Sequence, residues 1–180
     1  LEAPFNYAIT QETKTVTIGR VAMPTLFEET FTNTVLKHNL KVVKKDAVTK
    51  KPIQGVGFGL YKGEELKAKE TTNSDGEITF SNLEIGTYTL KELNTPVNYK
   101  PLGKDIPVEI KAAKTVQTYT STVENEPLRH TIQVRKNDRE EGTFLQGATF
   151  ELYQGSSKLQ TATTNQQGIA EFTNLLKGDY

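Results

Sequence analysis

The sequence repeats itself, and this repeat limits what the chain can fold into more than any other feature. When the chain is aligned with itself at an offset of 92 residues, 88 pairs remain (180 − 92), and 28 of them are identical. Identity of about a third, held at one fixed period, is the signature of a repeat architecture. The chain therefore contains parts of a repeated structural unit.

Short segments of alternating polarity predict that this unit is built from strands. They are separated by the turn-forming segments NSDG, IGT, TPVNY and NQQG, and they are rich in threonine, valine and tyrosine. Such short, regularly spaced alternation is typical of all-β domains, and no segment has the period of an amphipathic helix. We predict an all-β fold.

Two charged segments, VLKHN and PLRHT, predict the boundaries of the unit. If they are linkers, residues 38–127 form one complete domain. Residues 1–37 are then the C-terminal half of a preceding repeat, and residues 128–180 are the N-terminal half of a following one. The alternative frame, with units 1–92 and 93–180, is disfavoured because it places a boundary inside the strand-like run TYTLKEL.

Composition argues against several classes of function. Lysine plus arginine equals aspartate plus glutamate at 22 each, which favours neither nucleic acid nor an anionic membrane as a partner. There is no cysteine for disulfides or thiolate metal sites. No apolar run approaches the roughly 20 residues that span a bilayer, and the start, LEAPFNY, is not a signal peptide. We expect no cofactor, no metal and no membrane insertion in this segment.

Three polar side chains stand at the ends of rows that otherwise face the core. Residues two apart on a strand share a face. The rows are Leu40, Val42 and Lys44; Tyr88, Leu90 and Glu92; and Tyr119, Ser121, Val123 and Asn125. The first and third recur one period away as Ile132, Val134 and Lys136, and as Phe27, Glu29, Phe31 and Asn33.

These polar row ends allow two interpretations. Each row could simply reach the edge of the sandwich, where its polar end meets water. Alternatively, the three ends could meet in one buried site, because buried lysine and glutamate are costly unless they are paired. The recurrence of the lysine and the asparagine in the same register favours a shared site.

Residues 40–127 resemble the CnaB-type (prealbumin-like) repeats of Gram-positive surface adhesins and pilins. The resemblance rests on VVKKDAVTKKPIQGVGFGLYKG, on SDGEITFSNLEIGTYTLKELNTPVNY, and on the ending STVENEP. Lys44 and Asp46 match the first-strand motif, the stretch from Tyr88 to Tyr99 matches the glutamate-bearing strand, and Asn125 precedes Pro127 as in the family. Asn98 replaces the usual glycine before Tyr99, and asparagine tolerates the left-handed conformation.

This resemblance implies a Greek-key β-sandwich with a self-formed isopeptide bond. In such a bond the Lys44 amine attacks the Asn125 side-chain carbonyl and ammonia leaves, with Glu92 as the proton relay. Burial makes a lysine easier to deprotonate and a carboxyl group harder to ionise, so a dry site can supply a neutral amine and an acid together. The flanking halves offer Lys136 and Asn33 but no copy of Glu92, so we predict no isopeptide bond in either half.

The implied function is a structural stalk or spacer of a bacterial cell-surface adhesin or pilin, located at the cell wall. Neighbouring repeats of the same protein are the expected partners. The alternative is a repeat that itself binds a host extracellular-matrix protein. We also hypothesise head-to-tail docking of the half-repeats, with residues 131–180 of one molecule against residues 1–36 of another.

Weaker motifs are better explained by structure than by chemistry. GVGFG suggests a phosphate-binding loop, but its copy GATFE loses two glycines, so we predict a strand. NSDGE suggests calcium ligands, but its copy NQQGI loses the acids, so we predict a hairpin turn. His38 and His130 stand isolated in the predicted linkers, and no nucleophile–base arrangement supports an enzyme.

Overall fold

The structure, a computed structural model, describes residues 2–10, 13–20 and 26–180. These residues contain thirteen β-strands and no helix, which confirms the all-β prediction. The strands are β1 (Tyr7–Ala8), β2 (Thr34–Val35), β3 (His38–Asp46), β4 (Gly57–Lys62), β5 (Glu65–Thr71), β6 (Glu77–Leu83), β7 (Gly86–Glu92), β8 (Ile106–Ile110), β9 (Thr118–Asn125), β10 (His130–Arg135), β11 (Thr149–Gln154), β12 (Ser157–Thr163) and β13 (Ile169–Leu175).

The chain forms two compact units. The first comprises Leu1–Lys45, Pro52–Asn94 and Leu102–Val123. The second comprises Asp46–Lys51, Thr95–Pro101 and Glu124–Tyr180.

Two sheets build the sandwich that dominates the first unit. One has the strand order β6-β3-β9 and the other β5-β4-β7-β8. The pairs β3–β6, β4–β5, β4–β7 and β7–β8 are antiparallel. The chain stays in one sheet at the β4–β5 and β7–β8 connections and changes sheets at the other connections between β3 and β9. The first strand, β3, therefore lies between β6 and the last strand, β9. This arrangement confirms the predicted Greek-key β-sandwich.

Alternating burial along the strands places an apolar core between these two sheets. In β3, residues on one face are fully buried while those on the other are half-buried. Each fully buried Val, Leu, Ile or Phe side chain contributes about 1.5–3 kcal/mol to folding. The most deeply buried apolar residues of this core are Leu40, Val42, Val56, Phe58, Leu60, Leu90 and Ile110.

The second unit contains a smaller sheet pair, in which β10 pairs with β13 and β11 pairs with β12. Its core consists of Leu152, Phe172 and Leu175, against which Ile132, Val134, Phe150 and Ala162 pack. Phe58 and Leu60 have exposed fractions of 0% in the first unit. Of their copies, Leu152 is 9% exposed and Phe150 is half-buried. The same sequence pattern thus buries less surface where fewer strands are present.

The backbone repeats with the same period as the sequence. The bounds of β4, β5 and β6 reappear 92 residues later as those of β11, β12 and β13. Left-handed backbone conformations recur too, at Asn6 and Asn98 (φ 70° and 69°) and at Asn82 and Asn174 (φ 59° each). The predicted tolerance of Asn98 for the left-handed conformation is therefore confirmed.

The two flanking segments depart from the complete repeat in part. Phe27 and Phe31 are exposed, and residues 26–33 contain no strand, although their copies lie on β9. A strand needs a neighbour to bond its backbone, and the described part of residues 1–37 offers β2 only the two-residue β1. The proposed boundaries of the three segments stay a prediction.

Three smaller expectations have clear outcomes. Residues 57–59 of GVGFG lie in β4, so the strand prediction is confirmed. NSDGE forms a turn in which the Gly76 amide donates to the Asn73 carbonyl, but it joins strands of different sheets and is not a hairpin turn. His38 is not a linker residue, because it begins β3 and its exposed fraction is 0%.

A buried threonine hydroxyl links two backbone segments in both copies. Thr72, 3% exposed, accepts a hydrogen bond from the Val56 amide at 3.0 Å and donates one to the Ile53 carbonyl at 2.9 Å. Thr164 does the same for Ala148 and Leu145 at 2.9 and 2.7 Å. A valine in its place would leave both backbone groups buried without a partner.

We expect Thr72→Val to lower the free energy of unfolding by about 1–3 kcal/mol, the cost of burying unsatisfied polar groups. The matched control is Thr71→Val, because Thr71 is the exposed neighbour on β5. Its effect should stay within about 0.5 kcal/mol. Urea denaturation measures both, and equal stability of the two variants would contradict this account.

Candidate functional site

Lys44 lies at the C-terminal end of β3 on the face that points into the core. Its exposed fraction is 0%, and Val42, two residues earlier, is equally buried. The Lys44 amide donates to the Gly76 carbonyl at 2.7 Å, and the Lys44 carbonyl accepts from the Ile53 amide at 3.0 Å. Gly76 has φ 70°, and a Cβ there would clash with the Lys44 carbonyl oxygen. The turn therefore needs glycine to hold the lysine backbone in place.

Glu92 approaches this lysine from the opposite sheet. It ends β7 directly opposite Phe58 of β4, and its side chain is 5% exposed. The Lys44 Nζ lies 3.5 Å from the Glu92 Oε2 and 5.9 Å from the centroid of the Phe58 ring. The structure thus brings together two of the three predicted site residues in a nearly dry environment.

This pairing bears on the two interpretations of the polar row ends. A row that ends at the sandwich edge would place its last side chain in water, yet Lys44 and Glu92 are excluded from it. A buried lysine and glutamate need each other, because removing one partner of such a pair costs about 3–5 kcal/mol. The pair can also exchange a proton, which interconverts an ammonium–carboxylate pair and an amine–acid pair without net charge.

Asn125 is the third predicted site residue and ends β9. It lies two residues after buried Val123 on the same strand face, and its exposed fraction is 1%. Its side-chain Nδ2 donates to the Lys100 carbonyl at 2.7 Å, and its backbone carbonyl accepts from the Ala47 amide at 3.0 Å. The orientation of the carboxamide is therefore fixed by the backbone of another segment.

Asp46 and Tyr99 form a polar contact to which sequence analysis assigned no role. The Asp46 carboxylate accepts from the Val48 and Thr49 amides, each at 2.7 Å, and from the Tyr99 hydroxyl at 2.8 Å. Burial opposes ionisation of Asp46, but these hydrogen bonds outweigh it and hold the pKa of Asp46 below its ordinary value. Burial and the Asp46 carboxylate raise the pKa of Tyr99 to about 12.

The repeat-related copies of Lys44 and Asn125 are exposed, whereas Lys44 and Asn125 are buried. Lys136 follows the last residue of β10 and is exposed, and Asn33 is exposed as well. Asp138 repeats the turn of Asp46 by accepting from the Glu140 and Glu141 amides, each at 2.8 Å. The turn geometry is thus local, whereas burial of the lysine depends on the complete repeat. That neither half forms an isopeptide bond stays a prediction.

Among the residues that the structure describes, no group of three or more histidine, cysteine, aspartate or glutamate side chains is arranged to hold a metal ion. Over the same part of the chain, no helix is long and apolar enough to cross a membrane.

Comparison with known proteins identifies two matches to one domain family in this chain. A family model described as the SpaA prealbumin-like fold domain matches residues 38–126 and 130–180. The chain belongs to this family. The predicted relationship to the prealbumin-like repeats of Gram-positive surface proteins is confirmed.

The similarity to individual proteins covers part of this SpaA-type chain and less than half of each matched protein. The Bacillus anthracis TIE protein is similar with a TM-score of 0.64 and 25% identity, over 78% of this chain and 26% of that one. The pilus 2b backbone protein of group B streptococcus matches with a TM-score of 0.45 and 27% identity, over 52% and 42%. Colossin-A of Dictyostelium discoideum is 32% identical over 123 residues, which are 61% of this chain and 1% of Colossin-A.

The hydrogen bonds of Asp46 predict a specific dependence of stability on pH. Because its pKa in the folded state lies below the ordinary 3.8, Asp46 stabilises the fold above about pH 4, and this stabilisation is lost as the pH falls through the folded pKa. Asp46→Asn removes this titration and the acceptor for Tyr99.

We therefore expect Asp46→Asn to be less stable than the parent at pH 7 by about 1–2 kcal/mol, with a shallower decline of stability in acid. Asp75→Asn, a change at an exposed turn residue, is the matched control and should retain the parental acid profile. Denaturation midpoints measured from neutral to acidic pH test this, and parallel profiles for all three proteins would refute it.

Proposed function

We propose that residues 38–127 form a covalently cross-linked spacer domain in the stalk of a bacterial cell-surface adhesin or pilin. The observation that carries this proposal is the buried pair of Lys44 and Glu92, whose reactive atoms lie 3.5 Å apart. Lysine is almost never fully buried unless it is paired with an acidic group, as Lys44 is with Glu92. The task proposed for this pair is to form an isopeptide bond from Lys44 to Asn125.

The strand order supports an approach between the amine and the carboxamide. β3, which carries Lys44, and β9, which carries Asn125, are neighbours in one sheet. Both residues belong to core-facing rows and have exposed fractions of 0% and 1%. Folding would hold the two reactants together and replace a chance encounter by a high effective concentration.

The proposed reaction balances without any added reactant. Glu92 takes a proton from the Lys44 ammonium, and the neutral amine attacks the side-chain carbonyl carbon of Asn125. The new carbon–nitrogen bond forms, the bond from that carbon to Nδ2 breaks, and Glu92 delivers one proton to the departing nitrogen. Glu92 also takes the second proton that the lysine nitrogen loses on becoming an amide, and it ends the reaction protonated. One ammonia molecule leaves, so each chain reacts once and does not turn over.

The bond would stabilise the domain and redirect force. It would close a loop of about 82 residues, for which the loop-entropy relation gives about 4.5 kcal/mol. Tension entering near residue 38 and leaving near residue 127 would pass through the cross-link and leave the intervening chain unloaded. A chain without cysteine gains a covalent connection in this way. Neighbouring repeats would complete the flanking halves.

Intact-mass spectrometry of the purified chain tests the cross-link. We expect a mass lower than that of the sequence by one ammonia, and the deficit should disappear in Lys44→Ala, Asn125→Ala and Glu92→Ala. Lys136→Ala and Asn33→Ala are controls at the repeat-related positions, and Glu109→Ala is a control at an exposed glutamate of β8. All three controls should retain the deficit.

An undiminished mass in the parent chain would refute the cross-link. The domain would then be a plain spacer or the alternative, a module that binds a host extracellular-matrix protein. Retention of the chain on immobilised matrix proteins such as collagen or fibrinogen would separate these two cases. Fragmentation that joins the peptides of Lys44 and Asn125 identifies the bond directly.

A further inference from the structure

A buried hydrogen-bonded cluster links the N-terminal flank to the complete repeat. His38, fully buried at the start of β3, lies with its Nε2 2.9 Å from the Oδ1 of Asn6, which is 4% exposed. The Gln117 amide approaches the other ring nitrogen, Nδ1, at 3.0 Å. The Ala113 amide lies 3.4 Å from the same Asn6 oxygen.

The hydrogen-bond pattern determines the state of the histidine ring. A backbone amide can only donate, so Nδ1 of His38 must accept from Gln117 and carries no proton. The ring proton of the neutral form therefore lies on Nε2 and is donated to Asn6. That oxygen accepts from His38 and Ala113 together, while the Asn6 Nδ2 donates to the Leu36 carbonyl at 3.4 Å.

Asn6 occupies the position in the flank that Asn98 occupies in the complete repeat. Both have the left-handed conformation, and in both turns the following tyrosine amide donates to the preceding proline carbonyl, at 3.1 and 3.2 Å. The carbonyls of both asparagines accept an amide 30 residues later, from Leu36 and Leu128, at 2.9 and 2.8 Å. Asn6 is thus equivalent to a residue of a preceding repeat.

We propose that this cluster is a joint that fixes each repeat to the one before it. The left-handed asparagine of the preceding repeat docks between the first histidine of the next repeat and that repeat's loop 111–117. The contact between the two repeats is polar and buried. The connection between β2 and β3 is short, because only Leu36 and Lys37 separate the two strands. Such a joint would restrict the motion of one repeat relative to the next.

The second boundary carries half of the same joint. Asn98 has the required conformation and its carbonyl contact with Leu128, and His130 stands one period after His38. His130 is exposed in this structure.

Nuclear magnetic resonance of the full chain tests the joint, because it has only two histidines. We expect a slowly exchanging Nε2 proton from His38 and no such signal from exposed His130, which is an internal control. Asn6→Gly keeps the left-handed backbone but removes the acceptor. It should abolish the His38 ring-proton signal and speed exchange of the Ala113 amide about tenfold, or about 1.4 kcal/mol.

Asn6→Asp restores an acceptor and should preserve both signals, and Asn98→Gly, the repeat-related control, should leave them unchanged. If the Asn6→Gly variant retains a protected His38 ring proton and slow Ala113 exchange, the joint is refuted. Loss of both signals in the Asn6→Asp variant would also refute it, because an acceptor alone would then be insufficient. These readouts do not depend on Lys44 or Asn125, so the joint and the cross-link fail separately.

Discussion

The exclusion of water from one lysine is the constraint on which the rest of this domain depends. Lys44 has no exposed surface, so the sandwich must provide an acidic partner and close around both. Glu92 comes from the opposite sheet, and the two sheets must therefore pack at a spacing that brings its carboxylate within 3.5 Å of the amine. The turn at Gly76 fixes the lysine backbone. A core built only from apolar side chains would tolerate far more variation in this spacing.

Much of the fold follows from period and alternation alone. The offset of 92 residues predicts the equivalence of β4–β6 with β11–β13, and alternation predicts the buried rows of β3, β7 and β9. These predictions succeed because each depends on local pattern. The sequence also supplies the motif residues of the site, but the distance from Lys44 to Glu92 arises from packing between sheets, which no single strand encodes.

The errors have a common physical origin. The sequence predicts a linker at His38, because a lone histidine beside charged residues resembles a solvated connection. Its burial comes from Asn6 and from residues near 117, which are distant in sequence. The row from Phe27 to Asn33 repeats the pattern of β9, but a strand forms only where neighbours satisfy its backbone, and the described residues provide none for residues 26–33. Likewise, NSDGE has the composition of a hairpin, and only the topology sends its two strands to different sheets.

The recurrence of turns and strand bounds has a consequence for how such a protein can change. Most of the left-handed residues recur one period later, among them Lys50 and Gly142 (φ 59° and 70°) and Gly55 and Gly147 (φ 80° and 84°). Gain or loss of a whole period by genetic recombination would therefore join compatible ends, wherever in the period the exchange occurred. The length of the array can then evolve in fixed increments, while a change of a few residues would disrupt a turn that has no freedom to adjust.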